Sequence, residues 1–220
     1  MFAPPRSVLV FAPHADDEAL GCGGLLTRWA RSGNCPQLTL VRITRTSEER
    51  AEEFQAVASR LGARVVEMAF VSHGLNPSGS LVDQCEEEIN AAEADVVLLP
   101  GSSFHADHRA VRLAAFAAMR PEHCPSVRTV LSYETPYYAW ALTEDTYVPN
   151  FYVRLNWEQA HAKTELCALH RSQQFHGLRR QASIWSLLRQ RGRELEPFSF
   201  EGGSQAEPYA EAFRLERHAW

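Results

Sequence analysis

Two patterns take turns along this chain: short continuous apolar runs, and longer stretches in which apolar positions return every three or four residues. Ser7 to Ala12 is an apolar run closed by Pro13, as expected of a strand buried on both faces. From Ala19 the small or apolar positions Ala19, Cys22, Gly23 and Leu26 recur at helical spacing, and Gly33 with Asn34 ends that segment. Gln37 to Thr44 is a second strand. Thr46-Ser-Glu-Glu49 has the form of a capping box ahead of the stripe Phe54, Val57, Ala58 and Leu61, and Gly62 sits where a left-handed C-terminal residue belongs. Arg64 to Phe70 reads as a third strand and His73 to Ser80 as turn-rich. A polar helix through Glu86 to Ala92 then leads to a strand over Asp95 to Pro100. A helical stripe (Val111, Ala114, Ala115, Ala118), a strand from Thr129 to Glu134, a last strand from Phe151 to Leu155 and a helix from Trp157 to Leu169 complete the readable part. Beyond Ser172 the pattern is weak, and six arginines fall between Arg171 and Arg193.

Alternation of this kind predicts an α/β fold: a single domain over residues 1–220, built on a mostly parallel, doubly wound (Rossmann-like) sheet with helices on both faces. A length of 220 residues with 45% hydrophobic and 22% charged residues is enough for a substantial core. The net charge of -5 argues against a nucleic-acid binder and for a small polar substrate. Cys22, Cys35, Cys85, Cys124 and Cys167 are odd in number and scattered without a CxxC pair. That suggests neither a disulfide framework nor a thiolate metal site, and it points to a reducing, cytoplasmic setting. No signal-peptide pattern opens the chain, and no run of 18 apolar residues occurs, so no membrane partner is expected. Oligomeric state is open, and a homo-oligomer is compatible with all of this.

Candidate chemistry is concentrated in two places. Pro13-His14-Ala15-Asp16-Asp17-Glu18 follows the first strand directly, on the edge of an open α/β sheet where ligands bind. A histidine and three carboxylates within five residues repel one another unless they are solvated or neutralised by a cation. Phe104-His105-Ala106-Asp107-His108 follows the strand ending at Pro100, on the same edge. Each cluster alone is compatible with a helix cap in a solvated loop, with Asp107 as the cap in the second. Together they converge from two strand ends, and nitrogen and oxygen donors with an open position form the pattern of catalytic zinc. Gly21, Gly23 and Gly24 lack the GxGxxG spacing of a dinucleotide loop and are expected to permit close helix packing instead.

These motifs resemble the PIG-L/LmbE-like zinc-dependent N-acetylglucosaminyl deacetylases, a family that includes the enzymes of mycothiol and bacillithiol synthesis. The family's [A/P]HPDDE signature is matched by His14-Ala15-Asp16-Asp17-Glu18, with Ala15 in place of the usual proline, and its HxDH motif by His105-Ala106-Asp107-His108. Arg50-x-x-Glu53 resembles its second-helix pattern. Lys163 with Ala168-Leu169-His170-x-Ser172-Gln173, and Tyr209-Ala-Glu-Ala-Phe213, resemble its C-terminal blocks.

The resemblance implies metal ligation by His14, Asp17 and His108 and a general-base role for Asp16. It makes His105 a cationic stabiliser of the developing oxyanion, with Asp107 holding its other ring nitrogen and raising its pKa. Arg50 would contact the sugar, with Arg45 as a competitor. Either Asp16 or His105 could protonate the leaving amine, and Glu18 and His170 would support. The ligand set suits zinc and ferrous iron alike. The implied activity is zinc-dependent amidase chemistry, removal of an N-acetyl group from an amino sugar such as N-acetylglucosamine or its conjugate. The alternatives are a metal-dependent hydrolase of another amide, ester or phosphoester, and a catalytically silent, metal-stabilised binding protein. The arginines from Arg171 to Arg193 form either a solvated face or a reader of an anionic substrate group, with Arg179 and Arg180 as the candidates.

Overall fold

The structure is a computed structural model that describes residues 5–136, 147–173, 177–195 and 208–219, with backbone only at 177–180. In chain order the elements are β1 Ser7–Ala12, α1 Asp17–Ala30, β2 Gln37–Thr44, α2 Glu48–Leu61, β3 Arg64–Phe70, α3 Gly79–Ala91, β4 Val96–Pro100, α4 Ala106–Ala118, β5 Thr129–Tyr133, β6 Phe151–Leu155, α5 Trp157–Leu169, a 3-10 turn at Arg171–Gln173, α6 Gly177–Glu194 and β7 Tyr209–His218. One sheet runs in the order β3-β2-β1-β4-β5-β7-β6. Strands β1 to β5 pair in parallel, and β7 pairs antiparallel with both β5 and β6. The chain winds outward from β1 to β3, then returns to β4 on β1's other side, and loops leaving those two strands open into one crevice. Both signature motifs run from those loops into the first turn of the helix that follows.

Apolar side chains of the parallel strands point alternately to two cores, which is why the strands read as unbroken apolar runs. Val8, Val10, Leu38 and Leu40 join α1, α2, α5 and α6 on one face. Leu9, Phe11, Val41, Val97 and Leu99 join α3 and α4 on the other. The double winding expected from sequence is therefore the fold observed.

Helix α1 carries a kink at Cys22 (φ -138°, ψ 15°), which frees backbone N–H groups beyond it. Glu211 of β7 takes them up, accepting from Gly24 N at 2.8 Å and Leu25 N at 2.7 Å. The buried carboxylate is matched by Lys163 Nζ at 2.6 Å, from α5. Close approach explains the glycines of α1. A Cβ at Gly21 would enter the Tyr133 ring, and one at Gly24 would come within 2.5 Å of Leu155 Cδ1.

Three features differ from the sequence reading. The N-cap of α2 is Ser47, whose side chain accepts from Arg50 N, so the cap falls one residue later than expected and, with Arg50 at the third helical position, is a simple cap and not a box. Gly62 does close the helix in the left-handed conformation (φ 66°). Phe151–Leu155 is not the last strand, because α6 and β7 follow it. Five consecutive residues of β7, Tyr209 to Phe213, are buried, Glu211 among them, so the segment shows neither alternation nor a plain apolar run. Within the arginine-rich segment, Arg191 is buried and forms a two-pronged pair with Glu134, Nε to Oε1 at 2.8 Å and Nη2 to Oε2 at 2.7 Å. Arg189 lies over the Trp185 ring, and the side chains of Arg179 and Arg180 fall outside the described residues. Among the described residues no cysteine forms a disulfide, and no helix is long and apolar enough to cross a membrane.

Candidate active site

The loop after β1 is anchored before it reaches the chemistry. Thr44, ending β2, donates both its N–H (3.1 Å) and its hydroxyl (2.7 Å) to the Pro13 carbonyl. Asp16 then adopts φ 136°, ψ -19°, a backbone conformation natural to glycine and strained for aspartate. Glu18 holds it there. One Glu18 oxygen accepts from Asp16 N at 3.1 Å and the other meets His170 Nε2 at 2.7 Å, with both Glu18 and His170 buried. Strain of this kind survives only where surrounding bonds over-determine it.

Asp17 opens α1 and turns inward. Its Oδ2 lies 3.2 Å from His14 Nδ1 and 3.1 Å from His108 Nε2, and it accepts from His14 N at 3.0 Å. Burial pushes the Asp17 pKa up, but His108 and His14 outweigh it and hold the carboxyl far below its usual range. His14, His105 and His108 bring one ring nitrogen each within 4.8 Å of one another. The structure thus gathers all the histidines of the two motifs with Asp17, across some ninety residues of chain.

Asp107 is fully buried and its carboxylate serves a different neighbour from the one expected. It stands 4.0 Å from His105 Nδ1, too far to bond, and instead accepts from His14 Nε2 at 3.0 Å, Ser72 Oγ at 3.0 Å, His73 N at 2.8 Å and Leu75 N at 3.4 Å. Burial raises its pKa, but these donors lower it to about 2. What reaches His105 is the Asp107 backbone N–H, which donates to His105 Nδ1 at 3.2 Å, so His105 and not Asp107 is the N-cap of α4. The expectation of a raised His105 pKa is corrected accordingly. Burial, then the charges of His14 and His108, lower it against the opposing pull of Asp107 and Asp17. For His14 burial is the largest effect and acts downward, yet Asp17 and Asp107 together raise its pKa.

Arg50 reaches this site from α2. Its Nη2 donates to the Ala15 carbonyl at 2.9 Å and stands 4.0 Å from Asp16 Oδ1, whereas Arg45 is exposed. The remaining motif residues are contact partners too. Glu53 accepts from Ser172 N at 2.7 Å and Ser172 Oγ at 2.6 Å, clamping the C-terminal block to α2 beside His170. Ser72 and His73, on the loop after β3, enter the site unannounced by any motif, and a turn-rich loop at a ligand-binding edge was their only signal.

The His170–Glu18 pair has a consequence for stability. Burial lowers the His170 pKa, but Glu18 and the fields of Asp16 and Glu53 raise it above its ordinary value. A raised folded-state pKa contributes stability that is complete below the unfolded value and lost as pH rises through the folded one. The thermal midpoint of His170→Gln should fall furthest below wild type near pH 6, and the gap should narrow by about pH 9. A gap independent of pH would mean that folding leaves the His170 pKa unchanged, and one that shifts the opposite way with pH would mean that His170 is held neutral.

Several known proteins share this arrangement of elements. Residues 9–119 match the PIG-L family, described as GlcNAc-PI de-N-acetylase. No curated protein matches the chain. Among solved structures, a conserved protein from Thermus thermophilus is similar at TM-score 0.76 and 24% identity, over 97% of this chain and 96% of its own. The N,N'-diacetylchitobiose deacetylase from Pyrococcus horikoshii is similar at TM-score 0.74 and 18% identity, over 97% and 84%. The 4-carboxy-2-hydroxymuconate hydratase from Pseudomonas putida is similar at TM-score 0.78 and 16% identity, over 98% of both chains. At such identities the likeness is one of fold.

Proposed function

The chain belongs to the PIG-L family, and from that premise we propose that residues 1–220 form one metal-dependent deacetylase domain. Its substrate on this reading is a small N-acetylated amino sugar, such as N-acetylglucosamine, or a conjugate of one. His14, Asp17 and His108 are the proposed ligands. Two imidazole nitrogens and a carboxylate oxygen converging on one point fit zinc or ferrous iron. Bound there, the cation supplies Lewis-acid polarisation of the acyl carbonyl and makes water more acidic.

The observation that carries the reading is the way Asp107 sorts the two neighbouring imidazoles. An ionised carboxylate only accepts, so His14 keeps a proton on Nε2 for Asp107, and a cation taking the place of the proton between Nδ1 and Asp17 would find the Nδ1 lone pair and the Asp17 oxygen both aimed at it. His105 Nδ1 is occupied as an acceptor, so its proton is on Nε2. His105 is then a neutral donor to the developing oxyanion and not a ligand. Asp16 takes the proton of the attacking water, and Asp16 or His105 returns one to the departing amine. Arg50, tied to the Ala15 carbonyl, faces the sugar.

The same fold serves a deacetylase and a hydratase, so the reaction rests on these residues and not on the scaffold. Acetate release from a panel of N-acetylated amino sugars, with matching phosphate esters as controls, is the direct test. Phosphate release without acetate would replace this reading with a phosphoesterase. Catalytic silence with metal bound would leave a binding protein. His108→Ala is expected to purify with metal content well below the roughly one ion per chain expected of wild type, as elemental analysis would show. Undiminished content would remove the ligand set.

A further inference from the structure

His73 has no part in the chemistry described so far. Its φ of 64° is left-handed, a conformation that histidine enters more readily than most residues with a Cβ but that glycine adopts without penalty. Asp107 imposes that turn by accepting the His73 and Leu75 N–H groups, and glycine or asparagine would satisfy it with less strain. Packing does not explain the imidazole either, because the residue is exposed. Its ring lies beside His105, centroids 5.5 Å apart, where the His105 side chain is itself 23% exposed, so it borders the mouth of the site.

The hydrogen bonds around it decide its tautomer. Ser72 has a single hydroxyl proton, and the ionised Asp107 takes it. The Ser72 oxygen must then accept from His73 Nδ1, 3.0 Å away. Neutral His73 therefore carries its proton on Nδ1 and a lone pair on Nε2, for which no partner is present among the described residues.

We propose that His73 is a specificity-determining residue whose Nε2 accepts a hydrogen bond from a substrate hydroxyl at the mouth of the site. Resting on the deacetylase reading, this narrows the substrate to an acylated amine bearing a hydroxyl close to the amide, as a pyranose does.

The test is calorimetric binding of N-acetylglucosamine and its monodeoxy analogues, each lacking one ring hydroxyl, beside acetate release from the same compounds. Wild type should bind one analogue roughly 3- to 10-fold more weakly than the parent, the range of a single partly exposed hydrogen bond. His73→Gly should lose about that factor on the parent, no longer distinguish the analogue, and keep its metal. Relief of the left-handed turn and the greater freedom of glycine in the unfolded chain oppose each other, so its thermal midpoint should stay within about 2–4 °C of wild type. His73→Asn, which tolerates the turn and retains an acceptor, should recover part of the discrimination. His73→Gly that discriminates as wild type does overturns the proposal and leaves the deacetylase reading intact. The expected binding pattern with no acetate released sinks the deacetylase reading and supports His73. Failure of wild type to bind any of these sugars overturns the His73 proposal.

Discussion

Asp16→Asn is expected to retain its metal while turnover falls by roughly 10²- to 10⁴-fold, the range for loss of a positioned general base. Asparagine keeps the shape of aspartate and tolerates positive φ better than most residues, so the loop held by Glu18 and Thr44 should persist. The neighbouring change should behave in the opposite sense. Asp17→Asn removes the charge that His14 and His108 share, so activity should be lost together with metal and return in part when zinc is added. Added zinc should do nothing for Asp16→Asn. Metal stoichiometry measured beside kcat for both variants separates the roles: metal-free Asp16→Asn with metal-replete, slow Asp17→Asn reverses them, and full activity in both places the active site elsewhere.

Replacing His105 should cost about 10²- to 10³-fold in kcat, as removal of an oxyanion donor does, with metal retained. Asparagine is the informative substitution. His105 caps α4 through Nδ1, and alanine would lose the cap, at about 1 kcal/mol of stability, along with the catalytic N–H. His105→Asn keeps a capping side chain and removes only the group facing the substrate. If metal leaves with the imidazole, His105 is a ligand, an arrangement that its approach to His14 and His108 also allows.

Much of this was legible in the chain. Strands buried on both faces read as apolar runs, amphipathic helices read as stripes, and their alternation dictates a parallel sheet whose loop ends share an edge. Both site motifs were legible for the same reason. Each is contiguous, and each stands immediately after a recognisable strand, so their convergence followed from topology.

What escaped depends on partners distant in sequence. α6 and β7 carry arginine and glutamate in buried positions, and nothing local distinguishes a buried Arg191 or Glu211 from a solvated one until Glu134, Lys163 and the kinked α1 are in place. The direction of Asp107 was undetermined for the same reason. The family resemblance pointed it at His105, but an aspartate in the first turn of a helix can face either way, and the four donors waiting on His14 and the loop after β3 turned it toward them. Short-range pattern determined which segments form, where they end and which residue types meet at the crevice. Only the tertiary structure decided which of those groups holds which, because a hydrogen bond requires alignment to within a few tenths of an ångström and no periodicity encodes that.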